Sequence, residues 1–524
     1  MFEQTDVTPW YRTTTALIIA SVVLPPLGLV LLWRRSDLSS KQKTQFSIIL
    51  CALVVGYVAL YTIARRNSNE DHYTELERHR AQQRQQAPPE AAAVAASASN
   101  TNAQSANAGT AAPNAQQPGA PAGAEADMAH KDEAARPARN YWTDFRGPAR
   151  DGRYDEATIR TSWPNDGLPQ LWKQPVGGGY ASFVVAEGRA YTIEQRRNQE
   201  VVAAYDVETG RELWTHGWEA EFRESLGGDG PRATPTWHDG RVYALGAAGE
   251  FRCLDGKTGK LIWNRNILSD NGAQNISWGM SAAPLVVDDK VIVLPGGPAG
   301  KSVVAYNRLS GAPVWKALND QASYTSPMLV TLAGKRQVLV VTASRIVGLA
   351  VEDGALLWET SWQNSASINV AQPIVLNQNR FFISAGYGKG AALVEVTGAG
   401  RSFSARKVWE NNSMKNKFNS SVLQNGYIYG LDEGILTCVE AETGERKWKG
   451  GRYGYGQVLL ASGHLIITTE NGEIVLVRAT PDAHTEVARF TALEGRTWNY
   501  PAIAGGRLLV RNATHMAAYN IAAQ

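Results

Sequence analysis

Tyr205-Asp206-Val207-Glu208-Thr209-Gly210-Arg211-Glu212-Leu213-Trp214 and Leu254-Asp255-Gly256-Lys257-Thr258-Gly259-Lys260-Leu261-Ile262-Trp263 are two copies of one pattern. An acidic residue opens a short turn, a glycine sits four residues before a tryptophan, and strand-forming residues flank both. Weaker copies end at Trp315, Trp358 and Trp448, and a degenerate one with an insertion in its turn ends at Trp409. Trp172 precedes the series and Phe490 continues it. The glycine supplies a left-handed turn residue without strain. Asp206, Asp255, Asn307 and Glu440 are placed to accept hydrogen bonds from turn amides, which makes them structural rather than catalytic. A recurrence of roughly 40–50 residues with four short strand signals per copy means propeller blades.

Each period also carries an inner-strand signal. These are Ser182–Val185, Thr234–Thr236, Ala283–Leu285, Ser326–Met328, Gln372–Ile374, Ser420–Val422, Gln457–Leu459 and Tyr500–Ala502. Eight such signals predict an all-β, eight-bladed propeller of four-stranded blades over residues 141–524. The last unit holds only three strand signals, so Leu168–Val176 is expected to return as its outer strand and close the ring without an open seam.

The 524 residues exceed one ordinary domain. A net charge of only +3 gives no footing for nucleic acid as a partner. The three cysteines, Cys51, Cys253 and Cys438, form no disulfide framework and no metal or haem motif. Cys253 and Cys438 occupy equivalent positions in blades two and six, across the ring from one another, and should be buried free thiols. Gly296-Gly297-Pro298-Ala299-Gly300-Lys301-Ser302 is one residue short of a phosphate loop and lies between strands, so it reads as a hairpin.

Before the repeats, residues 1–66 read as a membrane anchor with two transmembrane helices, 14–33 and 47–64, that contact the bilayer. Residues 67–84 are charged and extend the second helix. From about Gln85 to Asn140 the chain is rich in Ala, Gln, Asn, Pro and Gly, and is expected to be a disordered tether with a reach of about 40 Å. Arg34, Arg35, Lys41 and Lys43 place the inter-helix loop in the cytoplasm, whereas Arg65, Arg66, Arg78 and Arg80 argue the other way. Charge alone leaves the orientation open.

The repeats resemble the PQQ-like (pyrroloquinoline-quinone-like) β-propeller family, which includes quinoprotein alcohol dehydrogenases and the BamB-type outer-membrane assembly scaffold. Trp142-Thr143-Asp144-Phe145-Arg146-Gly147-Pro148 and Gly230-Pro231-Arg232-Ala233-Thr234-Pro235 are similar to a bacterial subgroup of these repeat proteins. The resemblance implies a bacterial inner-membrane protein with its propeller in the periplasm. It further implies a protein-binding or scaffolding module with a partner in the cell envelope. The alternative it carries is a PQQ-dependent or other small-ligand oxidoreductase that uses the central funnel, with PQQ and calcium as cofactors. The enzymes of the family imply a vicinal cysteine pair, a calcium site and often a haem domain. No adjacent cysteines occur, and no calcium carboxylates can be placed residue by residue, so no catalytic or metal residue is assigned.

The residues just before each inner strand rim one mouth of the channel. They are Tyr180, Arg232, Trp278, Tyr324, Asn369, Asn419, Tyr455 and Trp498. Five are aromatic and Arg232 adds a fixed cation, a set that suits a ligand or an inserted peptide. The same aromatics would also serve as wedges between blades.

Overall fold

The computed structural model describes residues 25–34, 38–86, 142–400 and 402–523. Eight sheets follow one another around a ring. Blade 1 runs from Val184 to Glu219, blade 2 from Thr236 to Asn266, blade 3 from Leu285 to Ala317 and blade 4 from Met328 to Ser361. Blades 5, 6 and 7 span Ile374–Asn411, Val422–Arg452 and Gln457–Thr491. Blade 8 combines Ala502–Ala504, Arg507–Arg511 and His515–Asn520 with the N-terminal strand Gln170–Pro175, which pairs antiparallel to His515–Asn520. In seven blades the inner strand begins two residues later than the sequence signal, and in blade 7 it begins at Gln457 as expected. Pro235, Pro284, Pro327 and Pro373 have no amide to give a ladder, so pairing starts after them.

The repeat pattern proves to be a lock between neighbouring blades. Asp206 Oδ1 accepts from the Thr209 amide at 2.9 Å, and Asp255 Oδ1 from the Thr258 amide at 2.8 Å. Each tryptophan then reaches into the next blade's turn. Trp172 Nε1 donates to Val207 O, Trp214 Nε1 to Gly256 O, Trp263 Nε1 to Arg308 O and Trp315 Nε1 to Val351 O, at 3.0–3.1 Å. The indole lies on the next turn's glycine. At Gly311, with φ +69°, an added Cβ would stand 2.8 Å from Trp263 Cδ2. Glycine is therefore required twice there, for the backbone and for the ring above it.

The degenerate copy shows what the lock needs. Blade 5 replaces its turn with a long hairpin, Gly390–Ala399 paired to Ser402–Asn411. Trp358 of blade 4 finds no turn glycine or carbonyl and bonds Gln337 Oε1 within its own blade at 2.6 Å. Phe403 and Ala405 from the long hairpin pack against the cluster that holds Trp358 and so fill the seam. At the other irregular mark, Phe490 packs edge-on to Tyr519 and Trp163.

Hydroxyl and amide side chains stitch the inner strands to one another. The Ser182 amide donates to Thr234 Oγ1, that of Ala283 to Ser326 Oγ, that of Ser326 to Gln372 Oε1 and that of Gln372 to Ser420 Oγ, all at 2.8–3.0 Å. Cys253 and Cys438 are free and buried, and burial pushes both thiols up to about 12. Neither should react with a thiol reagent until the ring unfolds, a point that labelling before and after denaturation checks.

The N-terminal helices are described only in part. The first expected span, 14–33, falls mostly outside the described residues, of which Pro25–Arg34 form a helix. The second and the charged extension expected after it form one element. One helix runs unbroken from Ser40 to Gln86, and its apolar stretch is Ser40–Leu60, the one described segment long and apolar enough to cross a membrane. The tether expected over Gln85–Asn140 lies almost entirely outside the described residues. The boundary of compact units falls inside this helix, at Glu75/Leu76, rather than at the tether.

Leu76–Gln86 therefore belongs to the propeller's unit, and Arg80 holds it there. Arg80 is 2% exposed. Its guanidinium donates to Gln174 Oε1 and Pro175 O at 2.8 Å, pairs with Glu212 at 3.4 Å and lies 4.9 Å from the centre of the Tyr205 ring. The helix end thus clasps the seam where blade 8 meets blade 1. We expect Arg80→Ala to release it and expose the Lys/Arg sites around it to limited trypsin digestion. An unchanged digestion pattern counts against the clasp.

Candidate functional site

A segment that the repeat pattern does not explain closes one end of the central channel. Residues Trp142–Tyr154 cross it as a plug. Trp142 bridges to Val185 in blade 1, and the Trp237 amide of blade 2 donates to Thr143 O at 2.9 Å. Arg150 donates to Ala283 O at 3.2 Å and Pro327 O at 2.8 Å, and also bonds Pro284 O, so it holds blades 3 and 4 together. Arg146 Nη2 donates to Ser421 O of blade 6 at 2.7 Å. Arg153–Tyr154 pairs parallel with the inner strand of blade 7. The local backbone makes this possible: Arg146, Gly147 and Arg150 all have positive φ, a tight coil that turns both guanidinium groups outward into the ring.

Above the plug lies a blind funnel of about 210 Å³. Phe145 and Tyr500 form its floor, with ring centroids 4.9 Å apart and edge to face. Tyr180, Trp278, Tyr324, Tyr387, Phe418 and Trp498 wall it, joined by Leu226, Ile368 and Val370. The rings form a chain of contacts: Tyr180 to Trp498 at 5.6 Å, Trp498 to Phe418 at 5.1 Å, Phe418 to Tyr455 at 5.1 Å, and Trp278 to Tyr324 at 5.6 Å. Burial pushes the Tyr387 hydroxyl up to about 12, so it stays protonated across the physiological range.

Of the eight expected rim residues, Tyr180, Arg232, Trp278, Tyr324 and Trp498 share this one cavity wall. Tyr455 stands behind Phe418. Asn369 and Asn419 are buried outside the lining. Asn369 Nδ2 donates to Thr342 O at 2.8 Å and its carbonyl accepts from the Tyr324 amide, while Asn419 accepts from Asn416 Nδ2 at 2.9 Å. Both asparagines hold loops rather than face the channel. Arg232 is not a free anchor either. It donates to Gly228 O at 2.7 Å and to Gly230 O, and lies over the rings of Tyr180 and Phe222, so it braces the loop 221–230 against the funnel. Phe145, Tyr387, Phe418, Tyr500 and Leu226 were not in the expected set. Only Phe145, in a segment carrying two arginines and two glycines within seven residues, left a sequence signal.

The cofactor implied by the enzyme branch does not fit these residues. A calcium-held quinone needs carboxylate ligands, and the funnel's lining contains no Asp or Glu. Among the described residues no three His, Cys, Asp or Glu side chains gather as a metal site. No chemical step is derived through that group.

A carboxylic acid shifted strongly upward lies elsewhere, between blades 1 and 2. Glu200 is fully buried, accepts from the Ala247 amide at 2.8 Å, and burial lifts its carboxyl to about 7. Nearby, burial and then the Arg252 charge hold His216 down at about 4. Their linkage signs oppose. The folded state keeps an extra proton on Glu200 as pH rises from about 4 to 7, so that term loses stability over this window. His216 resists a proton that the unfolded chain accepts, so its term gains stability as pH rises from about 4 to 6.5. The two nearly cancel in the wild type. Glu200→Gln should leave the histidine term alone, on the order of 3 kcal/mol between pH 4 and 6.5. A melting temperature that tracks pH in the variant as weakly as in the wild type would refute the assignment.

Comparison with known proteins places the fold. The family model described as outer membrane protein assembly factor BamB matches residues 166–279 and 197–450, together more than half the chain. BamB of Bordetella pertussis is 22% identical, over 63% of this chain and 92% of that protein. The 1-butanol dehydrogenase (cytochrome c) of Thauera butanivorans is 30% identical, but over only 23% of this chain and 17% of the enzyme. The solved quinohemoprotein alcohol dehydrogenase ADHIIG of Pseudomonas putida overlays with a TM-score of 0.50 at 14% identity, covering 74% of this chain and 81% of that one. Blades locked by a turn glycine and a tryptophan, repeated around a ring and matched over that span, make this chain a member of the PQQ-like repeat family to which BamB belongs.

Proposed function

We propose that this chain is a membrane-anchored scaffold of the bacterial envelope, with its propeller in the periplasm and a protein as its partner. The observation that carries the reading is the plugged funnel. It is aromatic and blind, lacks carboxylates, and is lipped by Leu226, whose side chain is 72% exposed. Such a surface is built to bury apolar groups of another molecule. The family match to an assembly factor supports a protein partner over a redox substrate. Anchoring rests on Ser40–Leu60, where Leu53, Val55, Tyr57 and Leu60 are more than 60% exposed, which water does not favour but lipid does. The inner membrane is the reading because this anchor is a helix.

Two experiments test it. A photo-crosslinking residue in place of Leu226, in full-length protein in its native membranes, should give a discrete adduct with an envelope protein. The same residue in place of Leu309, on an outer turn, should not. Protease added to spheroplasts should degrade the propeller, and its full protection until lysis would reverse the orientation. Saturable binding of PQQ with calcium, together with dye-linked alcohol oxidation, would overturn the scaffold in favour of the oxidoreductase.

A further inference from the structure

We infer that the funnel receives one large apolar side chain presented by an acidic segment of the partner protein, with Lys417 and Arg496 meeting the flanking carboxylates. The inference rests on the scaffold reading and names the chemistry of its partner.

Size comes first. A cavity of about 210 Å³ holds the volume of about seven waters, below the usual range for a cofactor or drug-sized ligand. It matches a single large side chain. The apolar surface does not stop at the rim either. It continues outward over the exposed Leu226, so the occupant extends beyond the cavity, as a peptide does and a compact small molecule does not.

Charge comes second. The carboxylates near the mouth are turned toward their own loops. Glu224 accepts from the amides of Leu226, at 2.9 Å, and Gly227. Glu470 accepts from Trp498 Nε1 at 3.0 Å and the Tyr455 amide at 3.2 Å. The cations are placed differently. Lys417 Nζ stands 4.9, 5.4 and 5.8 Å from the ring centres of Tyr455, Tyr387 and Phe418, with one long hydrogen bond, 3.3 Å, to the Tyr455 hydroxyl. Arg496 is exposed, stacks 4.6 Å from the Trp498 ring and donates to Leu226 O at 3.2 Å. An ammonium has three N–H donors and a guanidinium five, so both retain capacity for acceptors. The aromatic faces hold them at the rim, where they favour an anionic flank and repel a cationic one.

The test uses purified full-length protein and capped five-residue peptides with a central tryptophan flanked by glutamates, glutamines or lysines, plus a glutamate-flanked peptide with central alanine. Calorimetry should rank the tryptophan peptides glutamate, glutamine, lysine, with at least a tenfold step between the first two at low salt. The central-alanine peptide should lose at least tenfold against its tryptophan counterpart. The double variant Lys417→Gln/Arg496→Gln should erase the glutamate preference while the glutamine-flanked peptide binds as before. Ser281→Trp, which fills the cavity, should abolish binding of all of them with the melting temperature retained. Equal binding of the glutamate and glutamine peptides, equal binding of the alanine and tryptophan peptides, no binding at all, or displacement by PQQ would each overturn the inference. The scaffold reading fails separately, if the Leu226 position gives no adduct in the wild type; an adduct that persists in Ser281→Trp leaves the scaffold standing and overturns the funnel as the partner's site.

Discussion

Arg150→Ala should destabilise the whole ring by about 3–5 kcal/mol. Arg150 is buried, and its guanidinium supplies hydrogen bonds to Ala283, Pro284 and Pro327 carbonyls of two adjacent blades while pairing with Asp144 at 2.9 Å. These carbonyls lie just ahead of the inner strands, outside the backbone ladders, and Pro284 O has a second donor in Thr236 Oγ1 at 2.6 Å. Truncation strips this donor from the Ala283 and Pro327 carbonyls and the cation from Asp144, while Pro284 O keeps Thr236 Oγ1 and Asp144 keeps Thr143 Oγ1; each buried unsatisfied group costs about 1–3 kcal/mol. Chemical denaturation should show a lower midpoint with an unchanged slope, because the variant still folds to the same surface. Adding Asp144→Ala should restore part of the loss, the part that belongs to the stranded carboxylate. If Arg150→Ala unfolds at the wild-type midpoint, the plug is not a structural hub and the funnel floor needs another explanation.

Gly311→Val should cost about 3–4 kcal/mol. A β-branched residue at φ +69° carries roughly 1–2 kcal/mol of backbone strain. The remainder comes from the indole of Trp263, which must move off a Cβ otherwise 2.8 Å away and so gives up its 3.1 Å bond to Arg308 O. Gly240→Val is the control, since φ there is +71° and no atom lies within 4 Å of an added Cβ. It should cost the backbone strain alone. The difference between the two melting temperatures isolates the inter-blade lock, and equal losses would show that the tryptophan contributes nothing through that glycine.

Much of the ring was legible because its determinants are local and repeated. The Asp-to-Trp turn carries its own hydrogen bonds, so each copy announces a blade. The returning strand Gln170–Pro175 could be inferred because the last unit counted one strand short. The plug was not legible in this way. Arg146 and Arg150 act on Ser421, Pro284 and Pro327, partners more than 130 residues away, and nothing near them in sequence marks those carbonyls. The repeat picks out rim positions but does not separate the residues that line the cavity from those that do not. Tyr180, Trp278 and Trp498 look like Asn369, Asn419 and Arg232 in the repeat alignment, yet Asn369 and Arg232 donate to backbone carbonyls and Asn419 accepts from Asn416, partners that only the folded loops create. The place of one residue on the long helix was not legible either, for another reason. In the sequence Arg80 counts only as one of the cations that follow the second helix, whereas Glu212, Gln174 and the Tyr205 ring form a slot that fits it.

The plug also bears on how the chain is made. Its residues and the closing strand are synthesised before every blade they hold, and the partners that complete them arrive last. Tyr154 meets the Gly506 amide, and Gln170 pairs with Tyr519, across more than 340 residues. Contacts of such span carry a large loop-closure entropy and form late. Until residue 520 emerges, seven blades and a coil of arginines must wait side by side with open strand edges, the state most exposed to mispairing. Ring closure and channel plugging should then occur together, as a single slow step, and the protein's vulnerability to aggregation belongs to the interval before it.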